Sequence, residues 1–505
     1  MGPLLSPGVY VQEVEAGSRP IEGVGTAVAA FLGLAAQGQF NEPTLVTNWS
    51  QFIQNFGGFM EGSYLAHAVY GYFLNGGGSC YIVRIGGNGA APGAHGELTL
   101  GRDRALPYRV TALEPGPSGN DITVEVQDAS EPGEDTFRLV VSRGGQVQEV
   151  FDNVTTRRRK NNVVTVVKAH SKLIQLEEIA NSTAVEPVDG ARVQLAGAPL
   201  SIPLRVTPDD YVGDSADRTG FAGLEAIDPV TMISVPDLMA AYQQGVIDLE
   251  GVQAVQTAMI AHCELMGDRM AVLDPPPGLN AQQIREWRVD KVRYDSRYAT
   301  LYWPWIKVLD PLQGGEALVP PSGHMAGIWA RSDDTRGVHK APANELVRGA
   351  LNLELLTTKG EQDQLNPQGI NCIRAFPGRG IRVWGARTLS SDPTWRYLNV
   401  RRLFNYLEES ILEGTQWAVF EPNDMALWER VKRTINAFLM RVWRDGALIG
   451  AAPQDAFYVK CDAETNPREV IDAGQLVVEI GIAPVKPAEF VVFRIAQFSG
   501  SASLP

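Results

Sequence analysis

The spacing of apolar positions changes several times along this chain, and each change predicts a different kind of element. Residues 26–34 are a nearly unbroken run of small and apolar side chains, which predicts a strand. Helical spacing follows over 49–56, opened by Asn48, and over 64–74, closed by Asn75-Gly76-Gly77-Gly78. A strand is expected over 80–85. From 96 to 208 the pattern becomes short and alternating, with strands expected at 108–113, 122–127, 137–141, 147–151, 163–167 and 202–206. Turn formers such as Pro115-Gly116-Pro117-Ser118-Gly119 and Gly144-Gly145 separate them, which predicts an all-β insertion of sandwich or barrel type.

Alternation of strand and helix returns over 210–380. Strands are expected at 230–235, 270–273 and 299–305, and helices at 237–266 (broken near Gly251), 281–291 and 323–331. That order predicts a mainly parallel sheet with helices on its faces. The last 125 residues carry helices at 399–413 and 424–444 and strands at 476–482 and 490–495. The expected fold is thus a mixed α/β, multi-domain one. It divides into an arm (1–22), a first core part (23–95), a β-rich insertion (96–208), a second core part (209–380), a C-terminal domain (381–484) and a second arm (485–505).

Both arms look built to pair with something else. Val9, Tyr10, Val11 and Val14 form a short strand pattern bracketed by Ser6-Pro7-Gly8 and Gly17-Ser18-Arg19-Pro20, with no local partner. Phe490, Val492, Phe493 and Ile495 do the same at the other end, beyond Ala483-Pro484-Val485-Lys486-Pro487.

Composition narrows the class. The hydrophobic fraction of 44% and charged fraction of 20% are those of an ordinary globular protein, and 505 residues exceed what one core serves. The net charge of -14 gives no attraction for nucleic acid. The one basic run, Arg157-Arg158-Arg159-Lys160, reads as a solvated loop. Four scattered cysteines, Cys80, Cys263, Cys372 and Cys461, fit a reducing cytoplasm rather than a zinc site or disulfide framework. No signal peptide or membrane span is expected.

The sequence lacks the usual catalytic motifs. Gly76-Gly77-Gly78-Ser79 follows a helix and leads into a strand, so it places no helix N-terminus behind a phosphate. His262-Cys263-Glu264 with Asp268 point about 100° apart on a helix and cannot converge on one ion. Asp333-Asp334 with His339 are explained by a loop ion-paired to Arg331 and Arg336. No metal or cofactor is expected.

The segments SPGVYVQEV, RPIEGVGTAVAAFLGLA, YLAHAVYGYFLNGGGSCYIVRI, ARSDDTRGVHKAPAN and EPNDMALWERVKRTINAFLMRVWRDGALIGA occur in an order that resembles contractile tail sheath proteins of phages, R-type pyocins and extracellular injection systems. The likeness spans both ends and the α/β portion and is least marked over 96–208. One departure is His339, where the family pattern implies a tryptophan.

The resemblance implies a structural subunit that polymerises as stacked hexameric rings around an inner tube. Baseplate and cap proteins would be further partners, with no nucleic-acid contact and no membrane insertion. Contraction from a high-energy extended form would drive the tube through an envelope, with assembly in the cytoplasm and no cofactor at firing. Val9, Tyr10, Val11, Val14, Phe490, Val492, Phe493 and Ile495 match the family's strand-exchange arms.

In the helix 424–444, Trp428, Val431, Ile435, Phe438 and Val442 form a core stripe. Arg430, Arg433, Arg441 and Arg444, with Glu429 among them, fall broadly on the other side. A helix of this region docks on the tube in the family, which makes those arginines candidate tube contacts; the alternative is a solvated face. The β insertion is expected to face outward. The competing functional reading is an α/β enzyme binding a small ligand at the carboxyl ends of its strands.

Overall fold

The computed structural model describes residues 20–86, 94–101, 106–113, 117–131, 133, 135–179, 190–196 and 206–493. The first part runs β1 (Ala29–Gly33), β2 (Thr44–Val46), α1 (Trp49–Phe56), α2 (Leu65–Asn75) and β3 (Cys80–Arg84). Asn48 opens α1 because its side chain accepts the Gln51 amide at 2.9 Å, satisfying a first-turn donor. The glycine run closes α2: Gly76 takes φ 117°, a conformation only glycine adopts cheaply, and its amide returns to the Phe73 and Tyr72 carbonyls.

The insertion contributes β4 (His95–Leu100), β5 (Leu106–Ala112), β6 (Ile122–Asp128), β7 (Thr136–Arg143), β8 (Gln146–Thr155), α3 (Val163–His170), β9 (Ile174–Glu178) and β10 (Arg192–Gln194). Antiparallel ladders join β4-β5-β9 and β10-β6-β7-β8 into two sheets. Their apolar faces share one core with Leu98, Tyr108, Val124, Leu139 and Phe151.

One expectation fails here, since 163–167 forms α3 and not a strand. Valine-rich sequence favours β structure, but Asn162 accepts the Val164 and Thr165 amides at 3.1 and 3.2 Å and so starts a helix. Val163 and Val167, one turn apart, then fall on the same buried face. The strand expected at 202–206 lies outside the described residues except for Val206.

The chain next builds α4 (Pro208–Val212), β11 (Met232–Ser234), α5 (Asp237–Gln243), α6 (Leu249–Met266), β12 (Met270–Leu273), α7 (Ala281–Glu286), β13 (Ala299–Trp303), β14 (Ile306–Leu309), β15 (Glu316–Val319), α8 (Ser322–Arg336), β16 (Ala350–Leu353), α9 (Lys359–Leu365), β17 (Ile370–Phe376) and β18 (Gly380–Val383). Strands from both core parts interleave in one sheet of order β18-β17-β13-β12-β11-β1-β3-β2. It is parallel from β17 to β3 and antiparallel at both edges. The parallel interior explains why these strands are continuous apolar runs: Ala29–Gly33, Met270–Leu273 and Ala299–Trp303 are buried throughout.

The helix break expected near Gly251 falls instead over residues 244–248. Gly245 turns the chain at φ 70°, and Asp248 caps α6 by accepting the Gly251 amide at 2.8 Å. Asp333 and Asp334 lie in the last turns of α8 and not in a loop. Asp333 pairs with Arg402 (Nη1 to Oδ1 2.9 Å), with both side chains buried, while Arg331 donates to the Asn75 carbonyl at 2.9 Å. The expected ion pairs of Asp333-Asp334 with Arg331 and Arg336 are therefore replaced by a tie between α8 and the helix that carries Arg402.

That helix is α10 (Leu398–Thr415), followed by α11 (Met425–Arg444) and the antiparallel pair β19 (Phe457–Lys460) and β20 (Glu479–Ile482). A third apolar cluster joins Leu403 and Leu407 of α10 to Val431, Ile435 and Phe438 of α11, with Ile21 packed among them. Of the strand expected over 490–495, residues 490–493 lie outside every ladder among the described residues, and residues 494 and 495 lie outside the described residues. A strand needs a partner for its amides, and among the described residues this stretch has none.

Candidate assembly surfaces

The carboxyl edge of the central sheet is where an α/β enzyme would hold its ligand, and just past β11 and β12 it is occupied by structural polar groups. Asp237, just past β11, is fully buried; it accepts the Leu34 amide at 2.6 Å, the Ser63 hydroxyl at 2.9 Å and the Tyr64 amide. Asp274, just past β12, accepts the Ser322 amide at 3.0 Å and its hydroxyl, which in turn accepts from Ser234 at 2.8 Å. Burial pushes the two carboxyls up, to about 6 for Asp237 and about 7 for Asp274. Each ties a loop to a helix start. The cavity beside them, between Val235, Met259 and Asp274, measures about 10 Å³, the room of a single water. His262 and Cys263 are buried in α6 while Glu264 is exposed, and among the described residues no group of three or more His, Cys, Asp or Glu could hold a metal ion.

α11 presents a different surface. Its stripe of Trp428, Val431, Ile435, Phe438 and Val442 is buried against α10 and β19, as expected. Arg433 and Arg444 stand exposed on the opposite side and, among the described residues, have no ion-pair partner. Arg430 and Arg441 sit on the flank instead. Arg430 donates to Glu421 at 2.8 Å and lies over the Trp417 ring; Arg441 donates to the Ile21 carbonyl. The four candidate arginines are thus two free cations and two that serve contacts within the chain. Glu429 pairs with Lys432 one turn on, at 3.2 Å.

The terminal segments leave from well-fixed points. Val9, Tyr10, Val11 and Val14 lie outside the described residues. Ile21, the second residue described, is buried against α10 and α11, and the Val24 amide donates to Ser410 at 3.1 Å. At the other end, Phe490, Val492 and Phe493 are 73–83% exposed, an apolar stretch with no cover. Elsewhere in the C-terminal domain, β19 and β20 form a sheet of two four-residue strands, so among the described residues each pairs along one edge only. The basic loop of the insertion is solvated as expected, with Arg158, Arg159 and Lys160 exposed.

Two features escaped sequence reasoning. Glu489 is bound by Arg387, which lies 102 positions earlier, and no local pattern announces such a pair. Phe420, in the turn between α10 and α11, is fully exposed at φ 66°. Its apolar neighbour Val419, set between two amphipathic helices, was the available signal.

Residues 230–389 match the phage tail sheath protein central domain, and residues 390–498 match the phage tail sheath C-terminal domain. Together the two matches run without a gap over more than half of the chain. The tail sheath protein of Burkholderia phage BcepMu is 25% identical over 508 residues, spanning 96% of this chain and 95% of that protein. A putative prophage major tail sheath protein of Pseudomonas aeruginosa is 26% identical over 249 residues, 48% of this chain and 61% of that protein. Among solved structures, the PVC sheath complex of an extracellular contractile injection system, in its contracted state, aligns with a TM-score of 0.59 at 24% identity, over 99% of this chain and 100% of that one. A sheath tail protein from Listeria innocua aligns with a TM-score of 0.58 at 13% identity, over 93% and 96%. Consecutive sheath domains in order, a sheath relative of matching length and sheath folds of matching extent agree: the chain belongs to the contractile tail sheath protein family.

Proposed function

We propose that this chain polymerises as stacked hexameric rings around an inner tube, and that the stack shortens to drive the tube through a target envelope. The observation that carries this reading is the bare apolar stretch at 490–493, and the sheet of β19 and β20, whose strands among the described residues each pair along one edge only, offers a matching receptor. Strand addition from a neighbouring copy covers the first and completes the second, supplying main-chain hydrogen bonds and alternating side-chain pockets together. A contact of this head-to-tail kind need not close on itself, so it generates a helix of subunits. Val9, Tyr10, Val11 and Val14 supply the partner strand from another copy. Arg433 and Arg444 of α11 face the tube, whose matching surface would be acidic; Arg430 and Arg441 support that face from its flank. Baseplate and cap proteins close the ends, and the particle assembles in the bacterial cytoplasm without a cofactor.

Electron microscopy of the intact chain beside chains lacking residues 1–22 or 490–505 tests the proposal. Helical tubes from the intact chain alone, or with its tube and baseplate partners, and their loss on either truncation, are expected. A chain that stays monomeric with all partners present would overturn it.

A further inference from the structure

The C-terminal segment reaches the arm by crossing open space. From β20 the chain is pinned at Val485, whose amide donates to the Ala447 carbonyl at 3.2 Å and whose carbonyl accepts from Asn399 at 3.1 Å. It then runs along a groove of about 960 Å³, walled on the far side by Trp384, Arg374 and Lys340. Close apolar packing does not fasten this stretch. The next fixed point is the Glu489 carboxylate, after which Phe490, Val491, Val492 and Phe493 are exposed.

That carboxylate is held from several sides. Arg387 Nε donates to Oε1 at 2.9 Å and its Nη2 donates to Oε2, in bidentate geometry; Asn366 Nδ2 donates to Oε1 at 2.8 Å, and the Tyr397 hydroxyl lies 3.4 Å from Oε2. Arg387 is itself locked to the central sheet. Its amide donates to Asn371 Oδ1 at 2.7 Å, and its carbonyl accepts from Asn371 Nδ2 at 2.8 Å and Thr300 at 3.0 Å, on β17 and β13. Its remaining guanidinium nitrogen donates to the Asn366 carbonyl at 3.0 Å. Arg387 and Asn366 belong to the central sheath domain and Glu489 to the C-terminal one, so the cluster staples the two together at the last point before the arm departs.

We infer that Glu489 is a positioning residue: clamped by Arg387, it fixes where the C-terminal arm leaves the body, so that the arm swings as a hinged extension while its root stays registered to the central sheet. The inference rests on reading the segment beyond Glu489 as an arm that joins neighbours. A polar clamp suits the task better than packing would, because it holds one point rigidly and leaves the next residue free. Burial alone would raise the Glu489 carboxyl, but Arg387, Asn366 and Tyr397 outweigh it and hold it below the ordinary range. The clamp is therefore complete at neutral pH and loosens as pH falls through that depressed value.

The test uses the purified full-length chain and its Glu489→Gln variant. Hydrogen–deuterium exchange over residues 483–489 is followed from pH 7 down to pH 3, corrected for intrinsic rates, and electron microscopy of assemblies runs in parallel. Losing a charge-assisted cluster of this kind should speed exchange of that stretch by about tenfold or more at pH 7. Exchange in the wild type should accelerate toward acid while the variant stays flat, with the central sheet unaffected in both. Fewer and shorter tubes are expected from the variant. Exchange within twofold of wild type, or faster exchange spread over the whole body, would overturn the inference. A loosened root with tubes of normal length would also overturn it, while leaving strand exchange itself intact; loss of tubes on deleting 490–505 reports on the arm separately.

Discussion

The central sheet and the β insertion both bury apolar strands, yet they use polar chemistry in different amounts. The central core encloses Arg84, Arg269, Asp237, Asp274 and Asn371, each tied to backbone groups of another segment. Among the described residues of the insertion, the buried polar side chains are Asp135 and Thr155, which bond to each other at 3.2 Å. A parallel sheet with long crossovers leaves loops at its strand ends whose amides need partners. Antiparallel hairpins satisfy theirs within the ladder. Where connections are long, buried side chains do the stapling that short turns do elsewhere.

The sharpest way to break this comparison is to remove a staple. Asp237→Ala strands the Leu34 and Tyr64 amides in a buried site, and a loss of about 3 kcal/mol or more in urea unfolding of the whole core is expected; a loss under about 1 kcal/mol would mean the staple is ornamental. Next comes Leu139→Ala in the insertion, with a cost of about 2–4 kcal/mol expected from the cavity. Hydrogen exchange should show that loss confined to residues 94–196, leaving the central sheet protected; loss of protection in both would make the two cores one cooperative unit.

A pH series sharpens the difference further. Because Asp237 and Asp274 are raised by burial, the folded core holds protons that the unfolded chain has already released above pH 4. Core stability should therefore fall as pH rises from about 4 through about 7, by several kcal/mol in total for the two carboxyls. Asp274→Asn should flatten the upper part of that slope, read as Tm against pH. Least affected should be a chain with Arg158, Arg159 and Lys160 replaced by serine, whose stability should stay within about 0.5 kcal/mol of wild type and whose assembly should be normal.

The same contrast explains how much could be read from the sequence. Continuous apolar strands such as Met270–Leu273, and the Asn48 cap of α1, declare themselves locally, because burial on both faces and a first-turn acceptor leave marks within a few residues. α3 was misread because valine spacing alone does not reveal that Asn162 captures two amides. The break ahead of α6 was misplaced because a glycine inside a helix is easier to see than an aspartate capping it. On α11 the apolar stripe was legible, but the division of its arginines into free and occupied was not, since Glu421 and Ile21 reach them through tertiary contacts. The pairs Asp333–Arg402 and Arg387–Glu489 join positions 69 and 102 apart, and nothing local encodes them.

The burial of Ile21 between α10 and α11 has a mechanical meaning. The chain passes from this anchor to β1 in eight residues, and on the way Arg402 holds the Thr26 carbonyl at 3.0 Å. Tension applied to the N-terminal segment is therefore taken up in the helical layer before any of it reaches the central sheet. β1 is an interior strand, with β11 and β3 on either side, and a direct pull would load its ladders from one end. Routing the force through Ile21 and Arg402 spreads it across two long helices, so the sheet can be carried along as a rigid load without becoming the part that yields.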